Sequence, residues 1–597
     1  REYGLLALIY MPDEKAKLVR SEVQTLCEDS DVGVQSNALV LMARLTDQPE
    51  EFAVVAASRL ASSEIGLVDA AKCAVQRTGL PAVPAVVEIM PQVSPMVRFS
   101  CIDFLARFAF DEQYGPLATQ AIADSLQAEN LEARERAFRL LSSIRPLTGE
   151  EIGNGLNDSH PQIVKIALSE AVCCETPDPE NLHRLLGLVK RRPELRDSAL
   201  KAVAVYGSHA SAASTDVQQW TEDSDPQVRL EAVTTLVRIS DQPQKVLPIV
   251  EKLLLDSHPD VALRSAQLLD EVAPEMVPTV ITEVLLPRLA SPNVPTQVSA
   301  AAALAGVPKA AAEHRILMIR LLAEQSTEST VAPSVQFQLT QALGNMGPTA
   351  RDAIPVLLGL VQRTDWNDPQ LIVPLKALGN IGVSDPVVVR TLLELNGRLS
   401  HRSRELRIVV LETLGKLGSG HDEVFELLAR RAREAESSRE RLTALRAMVA
   451  CKGNPHAIFA TLNLALTDEN PNVRIGACLL LNEQEDVEEI VPALAMLLED
   501  NNPFLRVLTA HSLAKWGTHA RSAELDLLQA LNDSDNHAAY CCYADDEDVR
   551  WDLFDQDVQD LRRGSVSKAV RSALRAMKGD QHEMQTAQRS ALTGIDN

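Results

Sequence analysis

The sequence predicts an all-α fold, an α-solenoid of about sixteen two-helix repeats. One stretch, residues 223–239 with the sequence DSDPQVRLEAVTTLVRI, recurs in modified form along nearly the whole chain. A small residue recurs at one point of each copy, and successive copies are separated by the length of a short helix pair. Helix pairs of this kind stack into an elongated array, so 597 residues need not divide into separate globular cores.

Each copy has the pattern of a helix start followed by one apolar face. In the copy at 223–239, Asp225 can accept hydrogen bonds from the first free amide groups. Pro226 fits the first helical position, because its missing N–H is not needed there. The apolar residues then recur at three- and four-residue steps: Val228, Ala232, Val233, Leu236 and Val237. We expect this face to be buried.

Ala232 marks the point that is most constant in size. Alignment of the copies on it gives one position in each: Ala38, Ala71, Cys101, Ala137, Ala167, Ala199, Ala232, Ser265, Ala300, Leu339, Pro374, Val410, Ala444, Ala477 and Thr509. These positions span 471 residues in 14 steps, roughly 33.6 residues per step, which suits two-helix repeats. Twelve of the fifteen are Ala, Ser, Thr or Cys, as close helix approach requires. The pattern predicts an inner helix in each copy, preceded by an outer helix.

The predicted solenoid covers residues 1–532. The chain starts with Arg1, and residues 4–10 (GLLALIY) resemble the last turns of an inner helix whose beginning is missing. We therefore expect the chain to be an N-terminally truncated fragment that has lost an N-terminal domain or signal.

The last part of the chain differs in charge from the repeats. Residues 533–560 hold ten acidic residues and one basic residue, so we predict an acidic insert or linker at 533–564. Residues 565–578 are basic and amphipathic, and we predict a helix that caps the array, since solenoids need a polar outer layer at each end. Its apolar face would comprise Val566, Val570, Leu574 and Met577. Residues 579–597 are predicted to be a disordered tail.

The repeat pattern changes between residues 290 and 410. The step from Ala300 to Leu339 is 39 residues, and the small residue is replaced by Leu339, Pro374 and Val410. Pro374 falls inside an expected inner helix, where it would kink the helix or delay its start to about residue 373. We predict a flexible or re-angled joint at 290–410.

Three strings in this region resemble a known repeat family. GPTARDAIPVLLGLV at 347–361, LKALGNIG at 375–382 and ALGNMG at 342–347 are similar to the HEAT-like repeats named after phycobilisome lyases. As a repeated unit, the resemblance covers roughly residues 4–532. It implies an armadillo-type fold, a right-handed superhelix. It does not choose between scaffolds, transport receptors, adaptor subunits and bilin lyases, all of which use the repeat.

The resemblance also implies a role for arginines that recur three residues after the Pro226 position. They are Arg98, Arg134, Arg196, Arg229, Arg407, Arg441, Arg474 and Arg506. In HEAT proteins such arginines form a structural ladder that ties each inner helix to an Asp of a neighbouring turn. The corresponding acids here are Asp158, Asp223, Asp256 and Asp468. The alternative is an anion-binding stripe. Evenly spaced arginines facing equally frequent acids favour the interpretation that the arginines are structural.

The sequence contains no motif that predicts catalysis. The twelve histidines form no HExxH, and no phosphate-binding loop or hydrolase elbow is present. The single pair His582–Glu583 does not match the repeated His-Glu pairs of deoxyhypusine hydroxylase, and His160 and His258 stand at helix starts, where capping outweighs metal binding. We predict no catalytic, cofactor-binding or metal-binding residue. A bilin-lyase-like or other enzyme subunit that uses an inter-repeat groove remains the alternative.

The charge restricts the class of partner. Acidic residues outnumber basic ones by 82 to 58, so the formal charge is −24, which repels nucleic-acid backbones and favours a basic partner. The cysteines form no CxxC, as in proteins of a reducing compartment. No apolar run approaches the roughly 20 residues that span a bilayer. We predict a cytoplasmic, non-catalytic scaffold or adaptor that binds another protein with a basic segment on an extended curved face.

Overall fold

The computed structural model describes residues 2–9, 11, 16–111, 113–327, 333–365, 368–399, 403–484, 487–530, 569–570, 572–574 and 576–577. Throughout these residues the regular structure is helical, without a strand. The predicted all-α solenoid is thereby confirmed. By their contacts the residues divide into two compact units, one up to Asn181 and again from Leu498 onward, the other from Leu182 to Leu497.

The first unit starts with eleven helices in two alternating layers. They are α1 (Glu2–Ile9), α2 (Arg20–Leu26), α3 (Val32–Leu45), α4 (Pro49–Ser58), α5 (Ile65–Thr78), α6 (Val83–Ile89), α7 (Pro95–Ala106), α8 (Gly115–Asp124), α9 (Leu131–Ile144), α10 (Gly149–Leu156) and α11 (Pro161–Val172). Helix α12 (Pro179–Arg191) crosses the boundary between the units.

The second unit continues the same alternation. Its helices are α13 (Arg196–Ala204), α14 (Ser214–Gln218), α15 (Pro226–Ile239), α16 (Leu247–Leu253), α17 (Pro259–Val272), α18 (Val277–Val280), α19 (Leu286–Leu289), α20 (Val294–Gly306), α21 (Pro308–Ala311), α22 (Arg315–Thr327), α23 (Pro333–Asn345), α24 (Ile354–Arg363), α25 (Ile372–Ile381), α26 (Pro386–Arg398), α27 (Arg404–Leu417), α28 (Asp422–Glu434), α29 (Ser438–Ala450), α30 (Pro455–Ala465), α31 (Pro471–Leu481) and α32 (Val487–Ala495). The first unit then resumes with α33 (Pro503–Trp516) and α34 (Glu524–Ala530).

Fifteen described helices are inner helices: α3, α5, α7, α9, α11, α13, α15, α17, α20, α23, α25, α27, α29, α31 and α33. The first fourteen of these pack on the inner helix of an adjacent repeat in their own unit. Helix α1 packs against α3 in the same way. In α13 and α25 the first turn is a 3-10 turn, Pro193–Leu195 and Pro369–Leu371. We number every inner helix from its first residue, including that turn.

The inner helices begin as the sequence predicts. In α15 the carboxylate of Asp225 accepts a hydrogen bond from the Gln227 N–H at 2.9 Å, and Pro226 is the first helical residue. The same capping bond is made by Asp31, Asn130, Asn293, Asp368, Ser437, Asn470 and Asn502. A cap of this kind satisfies an amide group that the helix itself leaves free.

Position seven, the Ala232 position, is buried in every inner helix. Ala232 itself is 0% exposed. In α25 the cap at Asp368 shows that position seven is Leu375 rather than Pro374, so the alignment of that repeat was one residue off. The α-helical part of α25 starts at Ile372, which places Pro374 among the residues whose N–H groups have no partner within the helix. The proline therefore delays the helix and does not kink it.

An outer helix of the second unit contains a wider turn. Between α18 and α19 the chain continues as a π-helical turn, Ile281–Leu285, directly before Pro287. Proline inside a helix lacks an N–H and collides with the carbonyl four residues earlier. A wider turn before Pro287 relieves that collision, so the helix continues without a break.

The predicted segments after residue 532 lie largely outside the described residues. This applies to the acidic segment 533–564, to the tail 579–597, and to Val566 in segment 565–578. Within 565–578, residues 569–570, 572–574 and 576–577 are helical, and Val570, Leu574 and Met577 are buried. No helix in the described part of the chain is long and apolar enough to cross a membrane.

Candidate functional site

Three of the predicted arginines each bind one predicted aspartate through two nitrogen atoms. Arg229 donates to Asp256 at 2.8 and 2.6 Å. Arg441 donates to Asp468 at 2.7 and 2.8 Å. Arg134 donates to Asp158 at 2.6 and 3.3 Å. Each pair joins position four of an inner helix to the turn that opens the next repeat, and two-point arginine–carboxylate bonds fix orientation as well as distance.

The same arginines also bind the turn before their own helix. Arg229 donates to the carbonyls of Asp223 and Ser224 at 2.8 and 3.1 Å, and the other two arginines make equivalent bonds. The carboxylate at the other end accepts the N–H two residues later, as Asp256 does from His258 at 2.8 Å. Each pair therefore joins two successive turns to one inner helix.

The remaining five arginines vary around this arrangement. Arg196 donates to Asp223 at 2.7 Å and lies 4.1 Å from the ring centre of Trp220. Arg407 binds Glu440 at 3.0 Å. The sequence reasoning missed Glu440 because it expected an aspartate in a turn, whereas Glu440 is the third residue of α29. Arg98, Arg474 and Arg506 donate to carbonyls of their own turns at 3.2, 2.9 and 2.6 Å.

Three successive inner helices of the second unit have almost no charge. Residues 294–306, 333–345 and 369–381 are 39 residues with one charged side chain, Lys376, although 23% of the whole chain is charged, which would give about nine. At position four, Gln297 replaces the arginine and donates to the Leu289 carbonyl at 3.2 Å. Counting charges in each inner helix would have revealed this region from the sequence.

These repeats have close backbone contacts and no charged pair at position four. A Cβ atom on Gly344 would lie 2.8 Å from the Cα of Ala377, so α23 and α25 touch through their smallest residues. Neutral hydrogen bonds supplement the contact, as Asn345 donates to the Ala305 carbonyl at 3.0 Å. The same kind of contact occurs beside a charged pair elsewhere in the unit, since a Cβ atom on Gly415 of α27 would lie 2.6 Å from the Cα of Ala447 of α29.

The contact between α17 and α20 is displaced along the helix axis. Elsewhere in the second unit, residues at similar positions along two neighbouring inner helices contact each other. Thr235, the tenth residue of α15, donates a hydrogen bond to the carbonyl of Leu200, the eighth residue of α13. Here a Cβ on Gly306, the thirteenth, would lie 2.4 Å from the carbonyl oxygen of Leu263, the fifth. Ser299, the sixth residue of α20, donates a hydrogen bond at 2.5 Å to the carbonyl of Asp256, which precedes the first residue of α17. Helix α20 is thus shifted toward the start of α17 by about six residues, roughly 9 Å at 1.5 Å per residue.

A groove of about 490 Å³ opens beside the starts of α20, α23 and α25. Its lining residues are uncharged: Pro259, Val298, Pro333, Ser334, Gln336, Phe337, Gln338, Thr340, Leu360, Pro369, Gln370, Val373 and Pro374. Phe337 is 46% exposed, which is unusual for so large an apolar side chain. We call this the α23 groove.

Gln338 is a buried polar residue of the α23 groove, whose lining also contains Ser334, Gln336, Thr340 and Gln370. It is 6% exposed, and its Oε1 atom has no hydrogen-bond partner. A buried oxygen without a partner loses the hydrogen bonds it would accept from water, which costs stability.

The lining determines what the α23 groove can do. It contains no carboxylate, imidazole, amine or thiol that could transfer a proton or attack a substrate. It offers apolar area, amide groups and rigid proline rings, which suit binding. No cluster of three metal-binding side chains occurs in the part of the chain that the structure describes.

Apolar residues extend beyond the α23 groove at position five of the inner helices. In the second unit that position is apolar in eight successive helices: Leu230, Leu263, Val298, Phe337, Val373, Ile408, Leu442 and Ile475. The α23 groove thus lies in the middle of a continuous series of apolar positions.

Comparison with known proteins agrees with the helix-pair architecture. Residues 179–270 and 460–539 match a family model described as HEAT repeats, which confirms that part of the sequence prediction. The phycobilisome-lyase qualifier stays a prediction. A search of curated proteins found no match.

Three solved structures resemble the chain. They are the karyopherin Kap121p bound to the SUMO protease Ulp1p (TM-score 0.54, 12% identity, 96% of this chain and 71% of that chain), Kap121p bound to the extreme C-terminus of the phosphatase Cdc14p (0.50, 12%, 96% and 72%), and yeast importin-β, Kap95p (0.47, 13%, 96% and 90%). At these identities the likeness shows the fold alone.

Proposed function

We propose that this chain, which belongs to the HEAT-repeat family, is a non-catalytic scaffold or adaptor that binds a partner protein on the inner helices of its second unit. The observation that carries the proposal is the α23 groove, where Phe337 is 46% exposed among uncharged residues. An exposed aromatic side chain in a concave, uncharged lining is the usual centre of a protein interface.

The apolar series at position five supports a partner larger than a small molecule. It runs from Leu230 to Ile475 and so passes through eight repeats. Five of the eight side chains are partly or largely exposed, namely Leu230, Leu263, Phe337, Val373 and Leu442, whereas Val298, Ile408 and Ile475 are buried. A protein that covers several repeats would bury the five exposed side chains together.

The charge of the chain supports a partner with a basic segment. With a formal charge of −24, association should be faster at low salt and weaken as ionic strength rises. Duplex DNA should bind poorly. Kap121p, which shares the fold, is solved with protein partners, and we propose a protein as the partner here too.

We further propose that the arginine–carboxylate pairs are structural and that the chain works in the cytoplasm. The pairs are half-buried or buried and already occupied on both sides, which leaves little capacity for an added anion. The described cysteines are all free thiols, and burial raises the pKa of the Cys27 thiol to about 12, so that it stays protonated and unreactive. Free buried thiols suit a reducing compartment.

The test places a photo-cross-linking side chain, benzoylphenylalanine, at Phe337 and, as the control, at Leu464. Leu464 is 55% exposed on outer helix α30 of the same unit. A protein cross-linked from position 337 and not from 464 is then purified, and its affinity is measured for Phe337→Asp and Leu464→Asp.

We expect Phe337→Asp to weaken binding by more than tenfold, because it removes about 1.5–3 kcal/mol of aromatic burial, and Leu464→Asp to change it by less than about twofold. Equal cross-linking from both positions, or equal affinity of both variants, would overturn the proposed site. Retention of the chain on duplex DNA in a salt-dependent manner would overturn the partner class.

A further inference from the structure

We infer that the α23 groove binds an extended peptide segment of the partner, with an uncharged apolar centre and a basic residue on each side. The inference rests on the proposed function and specifies the chemistry of the ligand. It follows from three features: the unpaired Oε1 atom of Gln338, the rigid apolar lining, and the acidic residues next to the lining in the first and last repeats of the α23 groove.

The Oε1 atom of Gln338 is available to accept a hydrogen bond from a ligand. The atom is buried and unpaired, and the side chain lines the α23 groove. The last torsion of a glutamine side chain is broad, so a small rotation turns the amide toward a ligand. A peptide group supplies both an N–H and a C=O, and it therefore satisfies either end of the amide. An apolar ligand would leave Gln338 unpaired, and a charged one would enter an uncharged lining.

The remaining lining suits one apolar side chain on an extended backbone. Phe337 presents its ring, and Pro333, Pro369 and Pro374 lie around it. Proline rings have fixed backbone torsions, so this part of the α23 groove loses little conformational freedom on binding. A folded surface would have to insert a single side chain to the same depth, whereas an extended segment can also bring its backbone to Gln338.

Acidic residues stand next to lining residues in the first and last of the repeats that form the α23 groove. Asp260 follows the lining residue Pro259, and its side chain is 70% exposed. Asp368 precedes the lining residue Pro369 and is half-buried. The imidazole of His258 lies 3.8 Å from the Asp260 carboxylate. Two carboxylates next to an uncharged lining, in its first and last repeats, favour a peptide whose charged residues are basic and lie on both sides of its centre.

The experiment selects 12-residue peptides from a randomised display library on the full chain immobilised at low salt. We expect enrichment of one motif, an aromatic or aliphatic residue in an uncharged centre with Lys or Arg on both sides. Enriched acidic peptides, or enrichment with no apolar centre, would overturn the inference. A synthetic peptide of residues 561–578, the chain's own basic segment, is added as a competitor. Displacement by it at equal concentration would assign the α23 groove to that segment and overturn the inference.

The selected peptide is then measured against three variants by fluorescence anisotropy. We expect Phe337→Asp to weaken binding more than tenfold, and the control Leu464→Asp to change it less than twofold. Gln338→Leu should weaken binding about three- to tenfold, because a neutral hydrogen bond is lost. Asp260→Asn should weaken binding about twofold at low salt and leave it unchanged at high salt.

The melting temperature separates recognition by Gln338 from a purely structural role. In the inference, Gln338→Leu removes a buried amide whose oxygen is unpaired, so the free protein keeps or raises its melting temperature while the peptide binds more weakly. A lower melting temperature together with unchanged peptide affinity would show that Gln338 is structural and overturn its part in recognition.

Failure of the inference and failure of the proposed function give different results. If no peptide is enriched while a partner protein still cross-links from position 337 and loses affinity in Phe337→Asp, the α23 groove binds a folded surface and only the inference fails. If peptides are enriched but the partner cross-links equally from 464, the proposed function fails instead.

Discussion

The repeats around Arg229 and Arg441 and the repeats of the α23 groove are stacked by different interactions. In the first group a charged pair joins each inner helix to the next turn. In the second group small residues such as Gly344 and Gly306 bring the helix backbones into contact, with neutral hydrogen bonds beside them. Close approach also occurs beside a charged pair, because a Cβ atom on Gly415 would lie 2.6 Å from the Cα of Ala447 in two helices that Arg407 and Glu440 join. The two groups therefore differ in the charged pair and not in how closely the helices approach, and the repeats without the pair present an uncharged surface.

The two units also differ at position five of their inner helices. In the first unit that position holds Ser36, Asp69, Phe99, Glu135, Lys165 and Val507. In the second unit it is apolar from Leu230 to Ile475. Position five also takes part in the stacking, since Ile408 and Ile475 are buried and a Cβ atom on Gly476 would lie 2.1 Å from the Leu442 side chain. The contrast therefore reflects helix packing as well as exposed surface.

The largest difference between the two kinds of stacking should appear on removal of the position-four side chain. Arg441 is 7% exposed, and Arg441→Ala leaves the Asp468 carboxylate without its cation. We expect a loss of about 3–5 kcal/mol, as for other broken buried pairs. Gln297→Ala, the neutral counterpart, should lose about 1 kcal/mol. Hydrogen exchange of amides in α29 and α20 measures the local free energies. Equal losses would mean that the charged pairs do not stabilise the stack.

Position seven tests close packing in the charged repeats. Ala232 is 0% exposed, so Ala232→Leu should separate α15 from its neighbours and cost on the order of 1–3 kcal/mol. Ala323→Leu, on an exposed face of α22, is the control and should have no measurable effect. Thermal melting compares the two variants. An unchanged melting temperature in Ala232→Leu would refute the packing explanation for the small residue.

Glycine contacts test close packing in the neutral repeats. Gly306→Ala places a Cβ atom 2.4 Å from the Leu263 carbonyl oxygen, so α17 and α20 must move apart. We expect a net loss of about 1–2 kcal/mol, because alanine's higher helix propensity offsets part of the strain. Gly397→Ala in α26 has open space around it and should stabilise the protein by about 0.5–1 kcal/mol. Urea unfolding that shifts both variants in the same direction would contradict the displaced contact.

The smallest expected effect concerns a carboxylate in the charged repeats. Burial raises the pKa of Glu231, although Lys201 at 3.4 Å opposes the shift. A carboxyl group with a raised pKa in the folded state destabilises the protein above that pKa, and the effect disappears below the ordinary pKa of glutamate. Glu231→Gln should therefore raise the melting temperature at pH 7 and match the wild type at about pH 4. A larger gain at pH 4 than at pH 7 would contradict this sign.

Local features of the repeat were predictable from the sequence. Asp225, Pro226 and Ala232 could be assigned because capping, proline placement and residue size depend on the helix that contains them. The arginine partners were predictable where an Asp stands in the next turn, and not for Glu440, which reaches Arg407 from within a helix.

Longer-range features were not predictable. The displacement of α20 along α17 depends on how two helices meet, which no single stretch of sequence encodes. The joint predicted at 290–410 stays a prediction, although the displaced contact and the uncharged helices both fall at or within its bounds. The α23 groove combines residues of four repeats, and only its lack of charge was visible in the sequence.

The displaced contact between α17 and α20 has a consequence for how the array can change by duplication or loss of repeats. A repeat such as residues 226–258 meets neighbours in the common register, so an extra copy would find matching surfaces on both sides. A copy of residues 294–332 would carry the offset of about two turns with it and meet its new neighbour out of phase. We therefore expect that a designed chain tolerates insertion of a copy of residues 226–258 and does not tolerate insertion of a copy of residues 294–332. Repeats could then be added or lost on either side of the α17–α20 contact, but not at the contact itself.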